Sequence, residues 1–178
     1  LIGQAARIAA DEGVATCRQC SRPANQEGVS VNDLHAALLR SFRWRSDPPA
    51  WPEERSFYAD YTNWWRDPEI LRALGPALAA LFPDRSATVV MGTESRGSLI
   101  GPLVATHLGV GFAEVRKGAV RGSDDDHWLT RLTPPDYIDR HLELAVRRGM
   151  IHPADRVLFV DDWAARGAQA AACKQLVE

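Results

Sequence analysis

The stretch from Arg156 to Gln169, Arg-Val-Leu-Phe-Val-Asp-Asp-Trp-Ala-Ala-Arg-Gly-Ala-Gln, constrains this chain more than any other. Four consecutive apolar residues, Val157 to Val160, leave no polar face. That is the pattern of a short strand buried on both sides of a parallel sheet. Asp161 and Asp162 follow at once, then a turn of small residues, then Gln169-Ala-Ala-Ala-Cys-Lys-Gln-Leu-Val, which reads as a helix. Strand, acidic pair, tight loop and helix start together describe a site at the carboxyl edge of an open α/β sheet, where such folds bind ligands. The helix start is also a ready anion site. On the residues alone a plainer reading stays open, in which the two carboxylates only cap the next helix.

A second stretch has the same build. Ala87 to Met91 reads as a buried strand and runs into Gly92-Thr-Glu-Ser-Arg-Gly97. An apolar helix carrying Leu99, Ile100, Leu103, Val104 and Leu108 follows. A glycine-bracketed loop between strand and helix is a phosphate-cradle arrangement, because glycine lets backbone amides approach an anion closely. The spacing is close to that of a P-loop, but Ser98 stands where the lysine is required, which argues against a nucleoside triphosphatase. A third strand is expected at Gly111 to Lys117, ending in Arg116 and Lys117; read alone, that pair is ordinary solvated charge.

Elsewhere the pattern is looser. Ile2 to Ala10 has the look of a short helix, and a further helix capped by Ser30 or Asn32 would carry Leu34, Leu38 and Phe42 on one stripe. Ser46 to Pro52 is a Pro-rich linker, so residues 1–52 read as a mostly helical extension and 53–178 as the core. Ser56 to Arg66 is rich in aromatics, which serve core or interface as readily as ligand. Asp67-Pro68 then supplies an N-cap and first-turn proline for a helix with Ile70, Leu71, Leu74, Leu78 and Leu81 on its apolar face. Gly118 to Asp136 has no apolar period and reads as a long loop. His141 to Val146 reads as the return strand, and Ile151 to Asp155 as a turn.

Composition narrows the function classes. At 178 residues with 46% apolar and 25% charged residues, the chain is ordinary for a globular domain. A net charge of −2 offers no general attraction to nucleic acid or anionic membrane. No apolar run approaches the roughly 20 residues of a membrane span, and no secretory signal is visible although the chain begins at Leu1. Three cysteines are too few for a disulfide scaffold, and Cys17 with Cys20 make only half of a zinc site. Reduced thiols in a cytoplasmic protein are the expectation.

Taken together and in order, the Gly92–Gly97 loop, the strand ending in Arg116-Lys117 and the Asp161–Gln169 stretch resemble the type I phosphoribosyltransferases, in particular the adenine branch. The likeness spans Phe57 to Glu178. It implies an α/β fold: an open parallel sheet flanked by helices, with a mobile hairpin loop over the site. It also implies phosphoribosyl pyrophosphate (PRPP) and a small, purine-like base as substrates, pyrophosphate as product, Mg2+ carried through PRPP as cofactor, and a homodimer. By the same resemblance Asp161 and Asp162 hold the ribose hydroxyls, and the loop Ala165, Arg166, Gly167, Ala168 and Gln169 takes the 5′-phosphate. Glu94, Ser95, Arg96 and Gly97 form the pyrophosphate loop, with Arg116 and Lys117 facing the diphosphate. Asp161, Asp162 and Arg96 are the expected catalytic residues; Tyr61, Trp64, Trp65 and Trp163 are the expected base-binding aromatics.

Several positions depart from the family pattern. Arg166, Ala168 and Gln169 replace the usual Thr-Gly-Gly-Thr ending, and the adenine branch's Glu-Tyr-Gly stretch is missing, leaving Asp136 or Asp139 as substitutes for its glutamate. These departures keep a second reading open, a non-catalytic PRPP-binding regulatory domain. The acidic pair alone would also suit a receiver domain, but receivers carry it near the start of the fold. The family's sheet needs a further strand after the last helix, so either the core is truncated at Glu178 or residues 1–52 compensate for it.

Overall fold

The computed structural model describes residues 7–8, 31–46, 57–82, 86–118, 127–136, 139–164 and 166–178. In chain order the elements are β1 (Arg7–Ile8), α1 (Val31–Ser41), β2 (Arg43–Ser46), β3 (Phe57–Asp60), α2 (Pro68–Ala80), β4 (Val89–Thr93) and α3 (Gly97–Leu108). Then come β5 (Gly111–Lys117), β6 (Trp128–Leu132), β7 (Glu143–Arg147), β8 (Val157–Val160) and α4 (Ala168–Val177). Short 3-10 turns, Thr62–Arg66 and Arg148–Met150, precede α2 and follow β7.

The main sheet has the order β1-β8-β4-β5-β7-β6. Its centre is parallel, with β4 between β8 and β5. Every residue of β4 and β8 is buried, as runs with no polar face must be. The flanks are antiparallel: β1 on β8, β7 on the end of β5, and β6 on β7. The expected open α/β sheet is therefore present, but it is mixed, parallel at its centre and antiparallel at its edges.

Alternation along the strands divides the core in two. Met91, Val115, Val146 and Phe159 face one way, onto Ala172, Cys173 and Leu176 of α4. Val90, Leu158 and Val160 face the other way, onto Ile100, Val104 and Ala105 of α3 and Leu78 and Ala79 of α2. Each large aliphatic side chain buried this way contributes about 1.5–3 kcal/mol. A third cluster joins Leu34 and Leu38 of α1 to Ile70 and Leu74 of α2. Asp67 caps α2 as expected, its Oδ1 accepting from the amides of Glu69 (2.9 Å) and Ile70 (3.3 Å).

Several elements differ from the sequence reading. β4 starts two residues later than Ala87 and continues through Gly92 and Thr93. Leu81 ends α2 as its C-cap and is 56% exposed, because the chain leaves the apolar stripe there. Residues 128–132, read as loop, form β6, which pairs with β7 from Trp128↔Arg147 to Leu132↔Glu143. Half-exposed edge strands lack a strong alternation, and this one places only Leu129 against the core. β7 begins at Glu143 rather than His141. β2 was not expected at all; it pairs with β3, so chain on either side of residue 52 shares one ribbon. Residues 1–6, 9–30, Cys17 and Cys20 among them, lie outside the described residues. Among the described residues no helix is long and apolar enough to cross a membrane.

Candidate active site

Parallel strands all point their carboxyl ends one way, so the segments after β4, β5 and β8 gather around one cleft of about 610 Å3. The acidic pair stands at its floor, where β8 ends. Asp161 Oδ1 accepts from the Asp162 amide at 2.9 Å, and Oδ2 accepts from the hydroxyl of Thr93. Thr93 is otherwise fully buried, and this bond gives its hydroxyl a partner. Asp162 Oδ2 accepts from the Tyr61 hydroxyl, with Arg96 Nη1 at 3.7 Å. Burial raises both carboxyls above the usual aspartate range. For Asp161 the Thr93 hydroxyl, the Asp162 amide and the Lys117 charge offset part of that rise; for Asp162 the backbone amides of Asp162 and Trp163 do so.

The β4–α3 loop supplies the opposite charge. Gly92 and Gly97 bring the strand end and helix start into backbone contact, and a Cβ on either would meet the other's main chain. That closure holds Glu94, Ser95 and Arg96 on the cleft wall, with a cis peptide between Glu94 and Ser95. The Arg96 guanidinium lies 4.3 Å from the centre of the Tyr61 ring. Glu94 Oε2 accepts from the Lys117 amide at 3.0 Å and lies 3.9 Å from Arg116 Nε. Lys117 lines the cleft; Arg116 does not, its charge turned toward Glu94 instead. Gly97 likewise lies behind the wall, where it packs toward Val160 and Asp161.

After β8 the chain turns into α4 through Gly167, which at φ +74° adopts the left-handed conformation that glycine takes without strain. Arg166, Gly167, Ala168 and Gln169 all line the cleft at the start of this helix. Ala165 lies outside the described residues.

The four aromatics expected around a base separate into two groups. Trp163 lines the cleft mouth and is 47% exposed. Trp64 and Trp65 are not brought to the cleft: they pack against the α1–α2 cluster, and Trp64 Nε1 donates to the Leu38 carbonyl at 3.1 Å. Tyr61 reaches the cleft but is 4% exposed, with Arg96 and Trp64 against its ring, so no face is left for a stacked base. Helical crowding explains this, since residues just ahead of an amphipathic helix share its apolar side.

The sequence reading missed Trp44, Phe57 and Tyr58, which line the same mouth from the β2–β3 ribbon. Trp44 stands edge-on to Trp163, ring centres 6.4 Å apart. Alternation of Trp44 between Arg43 and Arg45 was the available signal, hidden by its place next to the Pro-rich linker. Of the two substitute carboxylates, Asp136 lines the cleft and is held by the Arg140 amide at 3.0 Å, whereas Asp139 is exposed outside it. The arrangement has paired acids for vicinal hydroxyls, a helix start with the cationic Arg96, Lys117 and Arg166 for phosphates, and an aromatic mouth for a flat ring.

No protein-family model matches the chain. Among curated proteins it is 34% identical over 132 residues to an adenine phosphoribosyltransferase of Streptomyces clavuligerus, covering 74% of this chain and 71% of that one. It is 38% identical over 130 residues to that of a Synechococcus strain, covering 72% and 71%. Among solved structures, the adenine phosphoribosyltransferase of Rhodothermus marinus superposes with a TM-score of 0.66 at 32% identity, covering 82% of this chain and 78% of that one. The Saccharomyces cerevisiae enzyme, solved with adenine and an iminoalditol bisphosphate, gives 0.67 at 28% identity over 83% and 81%. With the fold, the order of the three loops and this level of identity in agreement, the chain belongs to the adenine phosphoribosyltransferase family.

Proposed function

We propose that this phosphoribosyltransferase moves the 5-phosphoribosyl group of PRPP onto adenine or a closely related purine base, releasing pyrophosphate. The observation that carries the reading is the meeting of the Asp161–Asp162 pair, Arg96, Lys117 and the α4 start in one cleft with an aromatic mouth. The Asp161 and Asp162 carboxylates accept from the ribose hydroxyls. The backbone amides at the start of α4 take the 5′-phosphate, supported by the field of the helix. Arg96 and Lys117 face the diphosphate, and Trp163 with Trp44 takes the flat face of the base.

As the bond from ribose C1 to the diphosphate oxygen breaks, positive charge develops on the ribose and negative charge on the leaving group. A ring nitrogen of the base forms the new bond to C1 as its N–H bond breaks, and the proton passes to the departing diphosphate or to water. The acidic pair favours the first charge, and Arg96 and Lys117 the second, from positions fixed before the reaction. Among the described residues no group of three His, Cys, Asp or Glu forms a metal cage. Two half-buried carboxylates beside a phosphate site do suit magnesium that enters on the substrate's own oxygens. Bound there, it would neutralise charge on the leaving diphosphate.

Purified protein supplied with PRPP, magnesium and a panel of bases tests the reading. Stoichiometric pyrophosphate and AMP from adenine are expected. PRPP binding without pyrophosphate release on any base would replace it with the regulatory-domain reading, which the arginine at position 166 favours; absence of PRPP binding would overturn both.

A further inference from the structure

Tyr61 lies outside the ribose- and phosphate-facing loops, yet its side chain touches two of them. Its hydroxyl donates to Asp162 Oδ2, and its ring carries the Arg96 guanidinium at 4.3 Å. Trp64 packs against the ring at 4.8 Å, tilted by 37°, and Trp65 meets it edge-on at 6.3 Å. Both tryptophans are anchored in the α1–α2 cluster, so the tyrosine is held from behind by the hydrophobic core. At 4% exposure it has little room to move.

The charges in front of it explain the need for such a residue. Asp162 and Arg96 come from different loops and stand 3.7 Å apart, beyond hydrogen-bond length. An aspartate and an arginine free to move at this separation close into a bidentate ion pair. That pair would occupy the carboxylate oxygen and the guanidinium hydrogens that the substrate requires. Glu94, Lys117, Asp136, Arg140, Asp161 and Arg166 also line the cleft, but Lys117 acts on Asp161, and the side chains that contact Asp162 are Tyr61 and Arg96.

We propose that Tyr61 is a positioning residue for phosphoribosyl transfer. Its hydroxyl fixes the Asp162 carboxylate and its ring fixes the Arg96 guanidinium, so one side chain sets the ribose-binding acid against the pyrophosphate-binding cation. This rests on the function proposed above. It assigns to the aromatic segment before α2 a role in aligning the two charged loops rather than in stacking the base.

A double-mutant cycle tests it, read as kcat/KM for PRPP and as AMP affinity by calorimetry. Tyr61→Phe keeps the ring and should lower both by about 10-fold, the scale of a hydrogen bond to a charged group. In an Asp162→Ala background the same change should alter them less than about twofold, because its partner is gone. Tyr61→Leu, which also removes the ring, should weaken pyrophosphate binding about 2- to 5-fold beyond Tyr61→Phe, and this extra loss should vanish in Arg96→Ala. Equal losses from Tyr61→Phe with and without Asp162, at unchanged thermal stability, overturn the inference alone. A wild-type protein that binds neither PRPP nor AMP overturns the function and the inference together.

Discussion

Replacing Gly92 by alanine probes how the β4–α3 loop is held. A Cβ on Gly92 would lie 2.8 Å from the carbonyl carbon of Gly97, closer still to its oxygen, and 3.2 Å from the Val160 oxygen. All three are backbone atoms of the strand end and helix start, so no flexible side chain can swing aside. Carbon–carbon contacts are optimal at about 3.5–4.0 Å, so the start of α3 must retreat by roughly 1 Å. Overpacking of this kind costs about 1–3 kcal/mol, or a melting temperature lower by some 2–4 °C per kcal/mol at this chain length. The larger effect is on chemistry. Arg96 sits at the N-cap of α3 and moves with it, and a misplacement of about 1 Å can reduce a rate by about 100-fold. Initial-rate measurements of AMP formation, paired with thermal melts, give both numbers. Gly109→Ala is the control: Gly109 caps α3 at φ +71° with open space around its Cβ position. It should lose about 1–2 kcal/mol of stability from the left-handed backbone and keep its kcat/KM. If Gly92→Ala retains wild-type kcat/KM, or loses no more of it than Gly109→Ala, the loop closure does not set the position of Arg96.

Asp161→Asn should raise the melting temperature at pH 7 while weakening PRPP binding by at least ~10-fold, about 1.4 kcal/mol. The sign follows from burial: the folded carboxyl titrates above its unfolded value, so its favourable contribution is present at low pH and is lost as pH rises through the folded pKa. An unchanged or lower melting temperature at pH 7 would contradict that. By the same shift, wild-type PRPP affinity should begin to fall on acidification at a higher pH than an ordinary aspartate's, and isothermal titration across pH 4–7 reads the midpoint. Arg166→Thr should lower PRPP affinity and flatten its salt dependence, as expected if the guanidinium at the α4 start clamps the 5′-phosphate; higher affinity would mark Arg166 as an obstruction. Burial, with Asp161 nearby, pushes the Cys173 thiol up to about 12, so peptide mapping after iodoacetamide at pH 8 should find Cys173 unmodified in native protein and modified in denaturant.

Much of this protein was legible in its sequence because its central segments are under strong, local constraint. Val157–Val160 and Val89–Met91 have no polar face, which leaves a buried parallel strand as their natural place. Asp67-Pro68 specifies a helix start through its own hydrogen bonds. The charged ends of β5 and β8 and the Gly92–Gly97 loop were readable as a site because strand polarity alone brings their loops to one edge. What the sequence could not decide was the direction in which individual side chains turn. Arg116 and Lys117 are neighbours on one strand and so point to opposite faces; only the tertiary structure shows that Arg116 turns to Glu94 and that Lys117 lines the cleft. Trp44 joined the site through β2–β3 pairing, a contact between segments with no local signal for one another. Tyr61, Trp64 and Trp65 read alike in one dimension. The α1–α2 cluster took up the two half-buried tryptophans, and the tyrosine alone reached Asp162, 101 residues away, because long-range packing sets which face of a short turn meets the core and which meets the site.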